Sequence, residues 1–133
     1  QKWILNVQKE QVQFTLVDHN RLARTQEAFS SQVVEIIDHH KDESLYQDTV
    51  NPSKRVIEMV GSAATLVAEK LLHENFLQNL PQETKVVLCK LLLGPILLDT
   101  VNLDPKFNKV TPKDEKIAQT LSELINMDRN QQT

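Results

Sequence analysis

Cysteine occurs once in the chain, at Cys89, and glycine only twice, at Gly61 and Gly94. A lone thiol excludes an internal disulfide and a metal site built from several cysteines. It fits a reducing compartment, with the cytoplasm as the default expectation. Blocks of Lys or Arg are missing, and the net charge is only -3. The electrostatic footprint of a general nucleic-acid binder is therefore lacking, no DNA partner is expected, and a polyanion would have to be held mainly through metal. No apolar run reaches the ~18 uninterrupted residues of a membrane span. The longest, Val86 to Leu98, is broken by Lys90 and by Gly94-Pro95 and reads as a buried helix, not an anchor. The start, Gln1-Lys2-Trp3-Ile4-Leu5, has neither an initiating Met nor an apolar stretch with a cleavage site, and is expected to be a cut end.

Against these absences, an apolar fraction of 40% and a charged fraction of 25% are those of an ordinary soluble globular protein. A length of 133 residues suits one domain with one core. That domain is expected over 1–128, with a polar tail at 129–133. Gln11 to Val17 alternates polar and apolar residues, with Val12, Phe14 and Leu16 on one face, the period of a half-buried strand ending at Asp18. Val33 to Ile37 is β-branched and nearly continuous, a more deeply buried strand ended by Asp38, His39 and His40. Between them, His19 to Gln32 carries Leu22, Ala23, Ala28 and Phe29 at helical spacing and is long enough to cross between parallel strands. Arg55 to Val60 is a third strand candidate.

The remaining pattern is helical. Gly61-Ser62 can cap a helix whose apolar face is Ala63, Leu66, Val67 and Leu71. A further helix starts near Pro81, runs through Val86, Val87, Leu91 and Leu92 toward Gly94, and continues to Asp99. Thr111 as cap, Pro112 in the first turn and Asp114 three residues after the cap announce the last helix, with Ile117, Leu121, Leu124 and Ile125 inward. Strands alternating with helices imply an α/β fold with a mostly parallel sheet and a helical C-terminal half. Ligands of such sheets bind outside the carboxyl ends of the strands, where Asp18 and Asp38-His39-His40 fall.

Two adjacent strands thus run straight from apolar residues into metal-type ligands. A third carboxylate, Asp99, follows Ile96-Leu97-Leu98, and a charge in such company needs a cation or donors to compensate it. Oxygen-rich ligation with one imidazole suits Mn²⁺ or Mg²⁺ better than structural zinc. In a two-metal site, ions roughly 3.5 to 4 Å apart acidify a bridging water and clamp an in-line displacement at phosphorus, with Asp18 the candidate bridge. Each residue alone has a plainer reading: Asp18 as a turn former, the triplet as loop, Asp99 as a helix-end carboxylate. His19 and Asn20 read as loop residues or as supports behind the ligands, and His73 as a solvated helix position. Cys89 reads as small core, and Gly61-Ser62 as a cap that could also receive a phosphate.

Taken in order, Leu16-Val17-Asp18-His19-Asn20, Val33-Val34-Glu35-Ile36-Ile37-Asp38-His39-His40, Val60-Gly61-Ser62-Ala63-Ala64-Thr65-Leu66-Val67 and Ile96-Leu97-Leu98-Asp99-Thr100-Val101-Asn102 resemble the DHH phosphoesterase superfamily. Within it they are most similar to the prune and cytosolic exopolyphosphatase branch. The match runs from about Val12 to Leu124, His39 follows Asp18 by 21 residues, about the branch's spacing, and Lys109 to Asp114 is also prune-like. The resemblance implies that Asp18 bridges two divalent metals, that His39 and Asp99 complete one shell, and that His40 contacts a substrate phosphate. It implies metal-activated water attacking a phosphoanhydride of polyphosphate or pyrophosphate, or of another small phosphorylated substrate.

Two parts of that pattern are not found. The first motif, a histidine followed by Asp-x-Asp, should precede Asp18, where the sequence has neither Asp nor His. The second lobe, which supplies Lys and Arg to the phosphates, should follow. The chain is accordingly expected to be a later portion of a catalytic domain with little activity alone. The competing expectations are a noncatalytic interaction module and a nuclease or cyclic-nucleotide phosphodiesterase of the same superfamily. Oligomeric state is not legible.

Overall fold

The structure, a computed structural model, describes residues 12–129. The expected cut end at Gln1 to Leu5, the first residue of the expected first strand, Gln11, and the tail beyond Arg129 lie outside the described residues. The chain divides into two compact units, Gln1–Ile57 and Glu58–Thr133. Where one core was expected, most of the buried apolar side chains among the described residues form two clusters, one within each unit.

The first unit is built on three parallel strands in the order β1-β2-β3: β1 (Phe14–Val17), β2 (Val33–Asp38) and β3 (Arg55–Ile57). The alternation read in the sequence sends Leu16 inward and leaves Thr15 and Val17 outward. Central β2 is flanked by a strand on each side, which is why Val33, Ile36, Ile37 and even Asp38 are buried. Val17 pairs with Ile37, so Asp18, just past the end of β1, and Asp38, the last residue of β2, stand side by side at the carboxyl ends of the two strands. The third strand is shorter than Arg55 to Val60 and stops at Ile57.

The crossover is a 3₁₀ helix, Arg24–Gln32, not an α-helix with an apolar stripe. Ala23 supplies no capping side chain, and the Ser30 hydroxyl donates to the Glu27 carbonyl at 2.6 Å, a local bond that competes with α-helical pairing. Of the four expected inward residues only Leu22 is buried and Phe29 half-buried, its ring 5.3 Å from Phe14; Ala23 and Ala28 are exposed.

The second unit packs α1 (Ala63–His73), α2 (Gln82–Asp99) and α3 (Pro112–Arg129) together. Ser62 caps α1 as its sequence position suggested, accepting from the Ala64 N–H. Thr111 and Asp114 form the expected reciprocal start of α3. Helix α2 runs unbroken through Gly94 and Pro95. Contrary to the expectation of a buried helix, it is two-faced. Val86, Cys89, Leu92 and Ile96 are buried, whereas Val87 (56% exposed), Leu91 (67%) and Leu98 (80%) share the opposite stripe at spacings of four and seven. Apolar residues surround the whole helix, so periodicity alone could not say which face packs. Among the described residues no helix is long and apolar enough to cross a membrane.

Candidate metal centre

Asp18 is the residue after β1 and has a left-handed backbone (φ 65°), held there by its N–H donating to the Ile37 carbonyl at 3.0 Å. For a non-glycine residue that conformation carries strain, and it turns the carboxylate across the strand ends. Asp18 Oδ1 lies 3.1 Å from His39 Nε2 and 3.8 Å from His40 Nδ1. The His39 and His40 rings meet edge to face, centroids 4.5 Å apart. One carboxylate oxygen and two imidazole nitrogens thus come within 4.8 Å of one another.

Asp38 organises this cluster from beneath. Its carboxylate is buried and accepts from His40 Nδ1 at 2.8 Å, from the His39 N–H at 2.8 Å, from the His40 N–H at 3.3 Å and from Asn20 Nδ2 at 2.5 Å. Burial by itself would raise the Asp38 carboxyl. The His40 and Asn20 side chains and the His40 N–H outweigh it and hold the group below the usual carboxylate range. The same bond to Asp38 raises His40, against a smaller desolvation effect, with the charges of Asp38 and Asp18 adding to it. Nδ1–H given to Asp38 leaves Nε2 of His40 as the ring's remaining functional atom.

Asn20 joins the two loops. Besides Asp38 it donates to the Lys41 carbonyl at 3.0 Å, and its amide oxygen accepts from the Glu43 N–H at 2.9 Å. A groove of about 960 Å³ opens over these residues, lined by Asp18, Asn20, His40, Lys41, Asp42 and Glu43 among others. The donor set fits a divalent cation that accepts oxygen and imidazole nitrogen.

Asp99 belongs to the second unit and is the last residue of α2. Its Oδ2 accepts from the Ser62 hydroxyl at 2.6 Å. The turn that follows is tightly tied: the Thr100 hydroxyl donates to the Ile96 carbonyl at 2.6 Å and accepts from the Leu103 N–H at 3.1 Å, and Val101, Asn102 and Leu103 are all left-handed. Gly61, one residue before Ser62, is wedged in the same place. A Cβ there would meet the Lys109 carbonyl, the Thr100 methyl at 2.6 Å and Asp114 Oδ2 at 2.9 Å. Buried Asp114 accepts from the Gly61 N–H at 2.8 Å, the Thr65 hydroxyl at 2.6 Å, and the Thr111 N–H and hydroxyl at 2.8 and 2.6 Å. Cys89 is buried, and burial pushes its thiol up, as befits a packing residue.

The sequence marks Asp38 only as a member of the Asp38-His39-His40 triplet, with no role of its own. The signal available was a carboxylate at the end of a buried strand, which must find donors. In the sequence Asp114 stands as a helix-start residue and as the end of the prune-like segment from Lys109. Its bonds to Gly61 and Thr65, 53 and 49 residues away, carry no local signature.

Parallel strands delivering an Asp and a His-His pair to one sheet edge define an α/β protein with a metal-type cluster at its strand ends. The sequence comparisons give that class a family. The chain is 38% identical over 118 residues to exopolyphosphatase PRUNE1 of Mus musculus and of Homo sapiens, matching 89% of this chain and 24% of each relative. It is 40% identical over 120 residues to a putative exopolyphosphatase of Schizosaccharomyces pombe, matching 85% of this chain and 30% of that protein. No protein-family model matches. These matches make the chain similar to a portion of prune-type exopolyphosphatases, the branch of the DHH phosphoesterase superfamily that its motifs resemble. It spans about a quarter of the length of the curated PRUNE1 relatives it matches.

Proposed function

We propose that this chain is part of the catalytic domain of a metal-dependent hydrolase of phosphoanhydride bonds, acting on inorganic polyphosphate or pyrophosphate. The observation that carries the reading is the convergence of Asp18, His39 and His40 at the ends of two parallel strands, with Asp38 orienting His40. Relatives named exopolyphosphatases support the substrate class. Both units are taken as parts of one DHH domain over 1–128, and the single buried cysteine suits a cytoplasmic setting.

Asp18 and His39 are assigned as metal ligands, Asp18 as the bridge of a two-metal site; Asp99 is assigned as a metal ligand on the family resemblance alone. Divalent manganese or magnesium held there would supply Lewis acidity toward phosphoryl oxygen and would acidify water at neutral pH. His40 binds the substrate phosphate. Its raised proton affinity keeps a larger share of the ring cationic, and Asp38 fixes Nδ1 so that Nε2 can donate to a phosphoryl oxygen. Asn20 holds the loop that carries His40 against the strand edge.

Calorimetric titration of Mn²⁺ into the chain and its Asp18→Ala variant, followed by assay of phosphate release from pyrophosphate and short polyphosphate, tests the reading. Saturable binding lost in Asp18→Ala is expected, with little phosphate release from this portion alone and metal-dependent release from the full-length parent. Weak binding unchanged by the substitution overturns a working metal centre in this portion, and no phosphate release by the metal-supplied parent overturns the hydrolase and leaves a noncatalytic interaction module. Nucleoside monophosphates released from short oligonucleotides, with no action on polyphosphate, would instead make it a nuclease.

A further inference from the structure

We infer that Ser62 is a positioning residue for Asp99, and that the buried Asp114 cluster holds Ser62 in place to do it. This rests on the proposed role of Asp99 as a metal ligand. The Ser62 side chain is buried while Asp99 is exposed, and the short 2.6 Å bond runs from the Ser62 hydroxyl to Oδ2. A carboxylate with one oxygen engaged by a fixed donor is restrained in rotation, so its other oxygen, Oδ1, is presented in one direction. Among the described residues Asp99 Oδ1 accepts no hydrogen bond. Ligating carboxylates are commonly held in this way by hydrogen bonds from behind.

Ser62 is itself held by more than its own cap to the Ala64 N–H. The preceding residue, Gly61, donates to Asp114 Oδ2 at 2.8 Å and has no room for a side chain between the Lys109 carbonyl, the Thr100 methyl and Asp114. Asp114 also takes the Thr65 hydroxyl from the first turn of α1, so the same carboxylate grips the chain on both sides of Ser62. Thr100, next to Asp99, is fastened to the end of α2 through the Ile96 carbonyl. Donor and acceptor of the Ser62–Asp99 bond are therefore each anchored separately, which is the arrangement needed for a ligand to be set before metal arrives. Capping alone explains why a serine stands at position 62, but it does not require the hydroxyl proton to point at Asp99.

The test is Mn²⁺ affinity by calorimetry on the full chain, with circular dichroism as the check of folding, for Ser62→Gly, Ser62→Ala, Ser62→Thr, Asp99→Asn and the Ser62→Gly/Asp99→Asn double variant. Glycine is tolerated at a helix cap and so removes the hydroxyl with least harm to α1; alanine gives a second reading of the same loss. Asp99→Asn should weaken binding, Ser62→Gly should weaken it about 10- to 100-fold, and Ser62→Thr should restore it. Ser62→Gly should add nothing once Asp99 is Asn. Parent-like affinity in folded Ser62→Gly, with Asp99→Asn weakened, overturns the positioning role and leaves the metal centre standing. An equal loss from Ser62→Gly with or without Asp99 overturns it as a general structural effect. Parent-like affinity in Asp99→Asn, or no Mn²⁺ binding by the parent chain, removes Asp99 as a ligand and this inference with it.

Discussion

Replacing Asp114 should be among the most damaging single changes in the second unit. Its buried carboxylate accepts four hydrogen bonds, two from the Gly61 and Thr111 N–H groups and two from the Thr65 and Thr111 hydroxyls. In Asp114→Ala the hydroxyls can rotate toward other acceptors, but the two N–H groups are fixed by the backbone. Stranding a donor costs about 1–3 kcal/mol, so two of them put the loss near ~4 kcal/mol. Asp114→Asn keeps the shape and one acceptor oxygen and should lose about half as much, ~2 kcal/mol. Against the ~5–15 kcal/mol that stabilises a typical domain, either change is readily measured by urea unfolding followed at 222 nm. The pH dependence supplies an independent check. Burial alone would raise Asp114, but the Thr111 and Thr65 hydroxyls and the Gly61 and Thr111 N–H groups outweigh it and hold the carboxyl below its ordinary value. A depressed carboxyl stabilises fully above the unfolded value of about 3.9 and loses that contribution as pH falls through the folded value. The gap between parent and Asp114→Asn should therefore narrow below about pH 5. An Asp114→Ala protein within about 0.5 kcal/mol of the parent, or a gap that does not change with acid, would refute the reasoning.

Asp38→Asn should lower the proton affinity of His40 toward that of an ordinary histidine, read by NMR titration of the ring. Because His40 is raised in the folded chain, its contribution to stability is present below its unfolded value and lost as pH rises through the folded one; that dependence should flatten in Asp38→Asn. Gly61→Ala should destabilise by about 1–3 kcal/mol through overpacking against the Lys109 carbonyl and Thr100, measured by urea midpoint. On α2, Ile96→Ala should cost about 2–5 kcal/mol, while Leu91→Lys on the exposed stripe should stay within about 0.5 kcal/mol in thermal or urea unfolding.

Much of the second unit was legible because its cues are local. Ser62, Thr111, Pro112 and Asp114 occupy cap and first-turn positions, and those positions are defined within four residues. The strand ends were legible for the same reason: a period of two places Leu16 inward, and Asp18 follows β1 whatever the strand packs against. The crossover was misread because helical spacing does not report whether the apolar side chains find a surface; Ala23 and Ala28 find none.

The sequence by itself determined which residue types stand at the ends of β1 and β2, where the helices begin, and which family the chain resembles, since all of these are properties of short segments. Tertiary structure alone decided that the carboxyl ends of β1 and β2 lie side by side, that Asp38 turns inward to steer His40, which face of α2 is covered, and that Asp114 reaches Gly61 across 53 residues. Those outcomes depend on register, burial and long-range partners, and a buried carboxylate finds its donors only once the chain has folded around it.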